Sequence, residues 1–301
     1  MRRVSAAVAG SFCLSLLVTT AQIHADEAKP AHQYGVGAQY GTTHVYVPAN
    51  QLDDFAASFA TTFGGTAAKP NLVSVTPTPS QTMFEAIRTP AGSASAFGFK
   101  TPVPYPFGLE RTGYLVTDLD AALVAAKDAG ASVIVTAFPD AIGRDAIIQW
   151  PGGVNMQLYW HTHATTSPPL QTIPENRIYL SPDNADAFVR SFLAFSQGTV
   201  TSDTAAAPGI EIGRPGETYR RIRIASQFGN LVVLVTDGHL PFPYGHEMTG
   251  YEVADLAATL DKAKASHAKI LVVPYTADQR QATMIEFPGG YIAEIHAPAK
   301  N

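Results

Sequence analysis

The chain has 301 residues, 46% of them hydrophobic and 15% charged, with a formal net charge of −5. That length accommodates two domains with a core each, and the acidic balance lacks the clustered Lys and Arg that nucleic acid binding needs. The one cysteine, Cys13, falls in the apolar N-terminal run, so disulfides and thiolate chemistry are excluded from the rest of the chain.

Arg2 and Arg3 precede a small-residue apolar run over 4–21, and Ala21 or Ala25 offers a cleavage site. This reads as an export signal over 1–25, so the expected location is periplasmic or secreted. Ser5, Ser11, Ser15, Thr19 and Thr20 interrupt the run, which argues against stable membrane insertion once the signal is removed. A flexible segment over 26–37 follows.

Thr42–Val47 is β-rich, and Asn50 with Asp53 three residues on reads as a helix start. Leu52, Phe55, Phe59 and Phe63 share one helical face, and Gly64-Gly65 ends it. Strands are expected at Leu72–Thr76, Thr82–Arg88 and Ala94–Phe99, before a proline-rich loop over 101–107. The next strand, Thr112–Val116, leads to a helix capped by Asp118 and stopped at Gly130. Strands at Ser132–Thr136, Asp145–Trp150 and Val154–Trp160 follow, the last two joined by a turn at Pro151-Gly152-Gly153.

A linker occupies 166–174 within a stretch rich in Thr, Ser and Pro. Arg177–Leu180 opens a third unit, whose helix starts at Asp183 and carries Phe188, Phe192 and Phe195. The segment Gly198–Gly216, rich in Ser, Thr, Ala, Pro and Gly, reads as a mobile insertion. Strands at Tyr219–Ala225 and Leu231–Thr236 close the unit. Arg220, Arg221 and Arg223 read as a solvated strand face.

The fourth unit repeats the second. Glu110-Arg-Thr-Gly-Tyr-Leu-Val-Thr-Asp-Leu119 returns as Glu247-Met-Thr-Gly-Tyr-Glu-Val-Ala-Asp-Leu256, and Pro151-Gly-Gly returns as Pro288-Gly-Gly. The two passages stand 137 residues apart at both ends, 110 to 247 and 157 to 294. A fixed long offset without insertion means two copies of a domain rather than a short-period solenoid.

Four strand–helix–three-strand units, with the phrase Gly113-Tyr-Leu-Val-Thr-Asp-Leu-Asp120 and the hairpin Gln149-Trp-Pro-Gly-Gly-Val-Asn-Met-Gln-Leu158, resemble the vicinal oxygen chelate superfamily. That superfamily includes glyoxalase I, the bleomycin-resistance proteins and the extradiol dioxygenases. The resemblance implies an α+β fold, with four βαβββ modules paired into two cupped-sheet, glyoxalase-like domains over 38–165 and 175–298. It also implies a single divalent metal (Fe, Zn, Ni, Mn or Co) acting as a Lewis acid on two neighbouring substrate oxygens. The usual ligands come from a first strand, the strand opening the second unit, and the last strand. Carried over, these positions are His44, Thr112 and Gln157 in the first domain, and Arg177, Thr249 and Glu294 in the second. Here the chain departs from the pattern, since threonine is a poor divalent ligand and arginine is none.

Side chains two apart on a strand share a face. On that basis the first cup holds His44, Tyr46, Glu110, Thr112, Gln157 and Tyr159. The second holds Arg177, Tyr179, Glu247, Thr249, Tyr251, Glu294 and His296. With Thr112 unsuited, the first-cup metal candidates are His44, Glu110 and Gln157. Tyr46, Thr112, Tyr159, Arg177, Thr249 and Glu294 are the candidates for substrate binding. Glu110 and Glu247 follow matching Pro-aromatic loops and are the candidate general bases for an acidic proton beside a carbonyl; the alternative is a structural tie to loop backbone. Arg177 with Glu294 also reads as an internal ion pair. No Gly-x-Ser-x-Gly elbow and no phosphate loop occurs.

Beside a structural tandem domain whose loops meet another protein, two functions follow. One is an exported, metal-assisted lyase, isomerase or dioxygenase acting on a small oxygen-rich substrate. The other is a metal-free small-molecule binder of the bleomycin-resistance type, which the incomplete ligand sets favour over a conventional dioxygenase. Arg177 repels a cation by about 4 kcal/mol per unit charge at about 4 Å and an effective dielectric of about 20, so any metal is expected in the first cup. The expected partner is a small-molecule ligand, and the expected state a monomer or homodimer.

Overall fold

A computed structural model describes Met1 and residues 33–299; the expected export signal lies outside the described residues. The first unit comprises β1 (Thr42–Tyr46), α1 (Leu52–Phe63), β2 (Thr66–Ala67), β3 (Asn71–Val73), β4 (Thr82–Thr89) and β5 (Gly92–Phe99). The second comprises β6 (Thr112–Leu115), α2 (Leu119–Asp128), β7 (Ser132–Pro139), β8 (Gly143–Trp150) and β9 (Val154–His161). The third comprises β10 (Glu175–Leu180), α3 (Pro182–Ser196), β11 (Thr199–Pro208), β12 (Thr218–Ser226) and β13 (Gly229–Val235). The fourth comprises β14 (Met248–Glu252), α4 (Leu256–Ala265), β15 (Lys269–Ala277), β16 (Arg280–Glu286) and β17 (Ile292–Pro298).

The strands form two mixed sheets. Units one and two make the order β2-β4-β5-β1-β6-β9-β8-β7, with β3 also on β4, and units three and four make β11-β12-β13-β10-β14-β17-β16-β15. The seam between units is antiparallel in both sheets, Thr43 opposite Thr112 in the first and Asn176 opposite Thr249 in the second. The fold is therefore α+β, with two curled sheets as the resemblance implied.

Local chemistry accounts for the helix starts, with exceptions. Asp118 and Asp255 accept from the backbone N–H of Ala121 and Ala258 at 3.0 and 3.1 Å, the capping expected of aspartate. Asn50 instead sits in a short 3-10 turn, Ala49–Gln51, and Gln51 occupies the cap position of α1 without a side-chain bond. Asp183 lies inside the first turn of α3, behind Ser181 and Pro182. Most of the expected insertion is an ordered edge strand, β11, paired along β12. Arg220 explains part of that order by reaching Asp203 at 2.7 Å and Asp186 at 2.8 Å.

The hydrophobic cores do not follow the sheets. One core joins units two and three, setting Tyr114, Leu119, Trp150 and Met156 against Ile178, Phe188, Phe192 and Phe195. The other joins units one and four, setting Leu52, Phe55, Phe59 and Phe63 against Tyr251, Leu260, Ile285 and Phe287. Each core thus packs the apolar faces of two helices on the backs of the sheets, between consecutive units in one case and between the first and last units in the other. Phe59 is at the centre of the second core, with its ring 4.8 to 5.6 Å from those of Phe55, Phe63, Tyr251 and Phe287. Such tilted and edge contacts add to the burial of apolar area.

Phe59→Ala is expected to cost about 3–5 kcal/mol, the range for emptying a closed aromatic site. Denaturant unfolding of the variant measures it. A loss below about 1 kcal/mol would contradict the role given to this core.

Candidate functional site

The concave face of the first sheet encloses a cavity of about 360 Å³. Alternation along the strands decides what it contains. On β1, Thr42, His44 and Tyr46 point inward, and on β9 Gln157, Tyr159 and His161 do the same. The aromatic wall is a run of near neighbours. Tyr46 stacks on Phe97 at 5.2 Å, Phe84 lies 5.5 Å from Phe97, and His44 meets Phe97 edge-on at 5.4 Å.

Thr112 does not face this cavity, which corrects the sequence expectation. The residue of β6 paired with Gln157 is Gly113. Thr112 turns to the opposite face, where its hydroxyl accepts from Asn176 at 3.5 Å. Thr249 and Tyr251 are likewise behind the second sheet. Thr249 meets Thr43 at 3.1 Å, and Tyr251 donates to Thr43 at 2.8 Å. The family ligand position carried over as Thr112 is one residue off the inward-facing Gly113, and because β6 begins only at Thr112, alternation does not tie Glu110 to the face of Thr112.

Gly113 decides the shape of the cup. A Cβ on this residue would lie 2.4 Å from Nε2 of His44 and 3.1 Å from the Tyr159 ring. The His44 imidazole therefore fills the space that a side chain from β6 would occupy. Its Nδ1 end is 3.5 Å from Oε1 of Glu110. Glu110 is 0% exposed and accepts a hydrogen bond from the Tyr46 hydroxyl. It sits behind His44 rather than in the cavity wall, so the ligand-facing member of the pair is the imidazole. The Tyr46 phenol is raised well above its ordinary range by burial and then by Glu110.

One inward residue escaped the sequence reading. Asp145 of β8 is 5% exposed and lines the cavity. Burial, then repulsion from Asp140, pushes its carboxyl up to about 8, although a hydrogen bond with Gln157 works against the shift. At neutral pH this group is mostly the neutral acid and can donate as well as accept. An acidic residue at the head of the apolar run Asp145-Ala-Ile-Ile148 was the available signal. Beside it, Tyr159 donates to the backbone carbonyl of Tyr40 at 2.5 Å.

These residues do not fit a divalent metal. Gly113 stands where the strand opening the second unit should supply a ligand, Gln157 is engaged with Asp145, and Glu110 is engaged with Tyr46 and His44. Among the described residues, no group of three or more His, Cys, Asp and Glu side chains is placed to hold a metal ion.

The second cup is occupied by its own charges. Arg177, 2% exposed, takes the place corresponding to His44 and lies 3.4 Å from Glu175 and 3.7 Å from Glu294. Arg223 and Arg280 reach Glu175 at 2.9 and 2.8 Å, and His296 Nδ1 lies 2.8 Å from Glu294. Arg221 pairs with Glu211 and Asp278 and is buried. Only Arg220 of the expected basic strand face is thus turned to partners at the surface. The repeat carries the same device as the first cup: a Cβ on Gly250 would lie 2.6 Å from Glu294 Oε2 and 3.0 Å from Arg177 Cδ. Arg177 and Glu294, candidates for substrate binding, are spent on each other and on their neighbours.

Glu247 is not the counterpart of Glu110 in surroundings. It is half-buried, accepts from Asn176, and is pushed up to about 7 by burial. Asn176 belongs to the face between the sheets, so Glu247 does not enter the second cup as expected.

No family model matches the chain, and no curated protein matches its sequence. Solved structures do. A triple mutant of 4-hydroxymandelate synthase from Streptomyces coelicolor superposes with a TM-score of 0.56 at 10% identity, over 88% of this chain and 94% of that one. The 2,3-dioxygenase LapB from Pseudomonas sp. KL28 gives 0.53 at 10% identity, over 89% and 94%. The 2,2′,3-trihydroxybiphenyl 1,2-dioxygenase of the dibenzofuran-degrading Sphingomonas wittichii strain RW1 gives 0.52 at 12% identity, over 90% and 91%. The chain has the vicinal oxygen chelate fold shared by these proteins, in its tandem form. At such identities the likeness fixes architecture, and chemistry is read from the residues in place.

His296 gives the second cup a measurable signature. Burial lowers its pKa, but Glu294 and Glu252 outweigh burial and raise it from 6.5 to about 9. The stabilisation is complete below about 6.5 and is lost as pH rises through about 9. Unfolding free energy is therefore expected to fall across that window, and His296→Gln should flatten the fall. Identical pH profiles for wild type and variant would contradict the assignment.

Proposed function

We propose that this tandem vicinal oxygen chelate protein holds a small aromatic molecule with neighbouring oxygen substituents in its first cup, without a divalent metal. The observation that carries the reading is the cavity built around Gly113. Rings of Tyr46, Phe84 and Phe97 line one side, while His44, Gln157 and Asp145 supply a few polar contacts. Its volume is in the range of about 300–1,000 Å³ usual for small-ligand sites, and mostly apolar walls with few polar groups are the usual composition. Gln157 and the neutral Asp145 carboxyl, already in contact with each other, suit two adjacent ligand oxygens. The second cup serves as an internally neutralised structural copy.

Isothermal titration with catechol and with ortho-hydroxyacetophenone tests this directly. Binding is expected to survive EDTA treatment and to be unchanged by added Fe(II), Zn(II) or Mn(II). Gly113→Ala, which displaces His44, should weaken it about tenfold, or about 1.4 kcal/mol. Binding that appears only with a stoichiometric metal would sink the proposal. It would favour the second reading, a metal-assisted dioxygenase, lyase or isomerase, which the likeness to two dioxygenases supports. In that case His44→Ala should abolish metal uptake and Arg177→Ala should leave it intact.

We also propose export, on the strength of Arg2, Arg3 and the apolar run over 4–21. Mass spectrometry of protein from the native host should find an N-terminus near Gln22 or Asp26; an intact Met1 would refute it.

A further inference from the structure

We infer that the molecule taken up by the first cup is an aromatic acid, and that Arg88 of β4, with the Ser93 hydroxyl of β5 beside it, is the site for its carboxylate. The inference rests on the binding role proposed for that cup and names the class of its ligand.

Three observations support it. The first is a row of polar positions running across the cup. Arg88 is paired with Ser93, Ser93 with Thr42, Thr42 with Gly113, and Gly113 with Gln157. Arg88, Ser93, Thr42 and Gln157 all line the cavity. The row thus has a guanidinium at its β4 end and an amide at its β9 end. Alternation puts Ser95 next on the inner face of β5 and Phe97 after it, so the floor passes from small hydroxyls to an aromatic ring. Ser93 and Phe97 are four residues apart, or roughly 13 Å along the strand. A ring lying on Phe97 with an acidic substituent covers that length together with the reach of an arginine side chain.

The second observation is that the chain itself does not answer the charge of Arg88. Among the described residues its guanidinium makes no ion pair and no hydrogen bond, and the side chain is exposed at the cavity mouth. The arginines of the second cup differ in this respect. Arg177, Arg221, Arg223 and Arg280 each have a carboxylate of the chain as partner. A carboxylate brought by the ligand would do for Arg88 what Glu175 and Glu211 do there, and the planar guanidinium can donate two parallel hydrogen bonds to it. At an exposed mouth the charge keeps part of its hydration, so only the ring has to enter the neutral interior.

The third observation is that the repeat lacks the arrangement. The offset of 137 residues extends to this hairpin, because Thr89 pairs with Gly92 where Ser226 pairs with Gly229. It places Ala225 at the position of Arg88, Asn230 at that of Ser93 and Val232 at that of Ser95. The hairpin therefore forms without the guanidinium or the two hydroxyls. They occur in the copy that has the open cavity.

The facing wall fixes the direction of entry. Asp140 and Asp145 line the β8 side, at the far end of the order β4-β5-β1-β6-β9-β8. Asp140 accepts from the backbone N–H of Ile142 at 3.0 Å within its own turn, and Asp145 is mostly the neutral acid. These oxygens repel a ligand carboxylate and accept from ring hydroxyls. The acid is thus directed to β4, and the neighbouring oxygens to Gln157 and Asp145.

The test is isothermal titration, with EDTA present, of 3,4-dihydroxybenzoate and 3,4-dihydroxybenzamide, which share a shape and differ in charge. At about pH 6.5 the benzoate is ionised, as carboxyls ordinarily are. Wild type is expected to bind the acid about tenfold or more tightly than the amide. Arg88→Gln should bring the two dissociation constants within about twofold of each other, and the amide serves as the control for an intact cup. Equal affinities in the wild type, with catechol still bound, overturn this inference and leave the binding role standing. A preference for the acid undiminished in Arg88→Gln also overturns it. Absence of binding by the acid, the amide and catechol removes the binding role together with it.

Discussion

In both cups a bulky polar side chain stands at the centre because the neighbouring strand contributes only a hydrogen atom there. Gly113 admits His44 and Gly250 admits Arg177 and Glu294, and a methyl group at either site would collide at 2.4 to 2.6 Å. The rest of each cup is arranged around that intrusion. In the first, the imidazole closes off Glu110 and leaves a cavity of about 360 Å³. In the second, the guanidinium draws Glu175 and Glu294 inward, and these in turn gather Arg223, Arg280 and His296. Two copies of one backbone thus end as an open apolar pocket and a filled ionic one. The difference traces to a histidine exchanged for an arginine and a glutamine for a glutamate.

Burial sets the electrostatic character of both. A buried ion cluster repays the cost of desolvation only when every charge has a close partner. The second cup meets that condition through carboxylates shared among several cations. The first cup has fewer charges and resolves the problem differently, by keeping Asp145 largely neutral and by giving Glu110 a phenol and an imidazole as neighbours. A pocket with little net charge and aromatic walls suits uncharged rings better than ions.

Much of the architecture was legible in the chain. The 137-residue offset identified the repeated unit, and the spacing of Leu52, Phe55, Phe59 and Phe63 marked the buried face of α1. His44, Tyr46, Gln157 and Tyr159 were placed on the inner face correctly, since strand alternation is rigid once a strand has begun. Thr112 and Thr249 were misplaced because they were carried over as family ligand positions, whereas the inward residues of β6 and β14 are Gly113 and Gly250. Asp145 was passed over because its neighbours are apolar, and its isolation becomes meaningful only when β8 is seen against β9. The segment 198–216 looked like a loop by composition, but partners on β12 and the pairs made by Arg220 hold much of it as a strand. Composition alone cannot report a partner that distant.

The mismatch between sheets and cores has a mechanical consequence. Units one and four are one apolar block, units two and three another, and each sheet crosses from block to block at a single seam, β1 against β6 and β10 against β14. The two seams are therefore parts of one joint. Any rotation of one block against the other would therefore bear on both cups together, on the wall around His44 and on the clustered charges around Arg177.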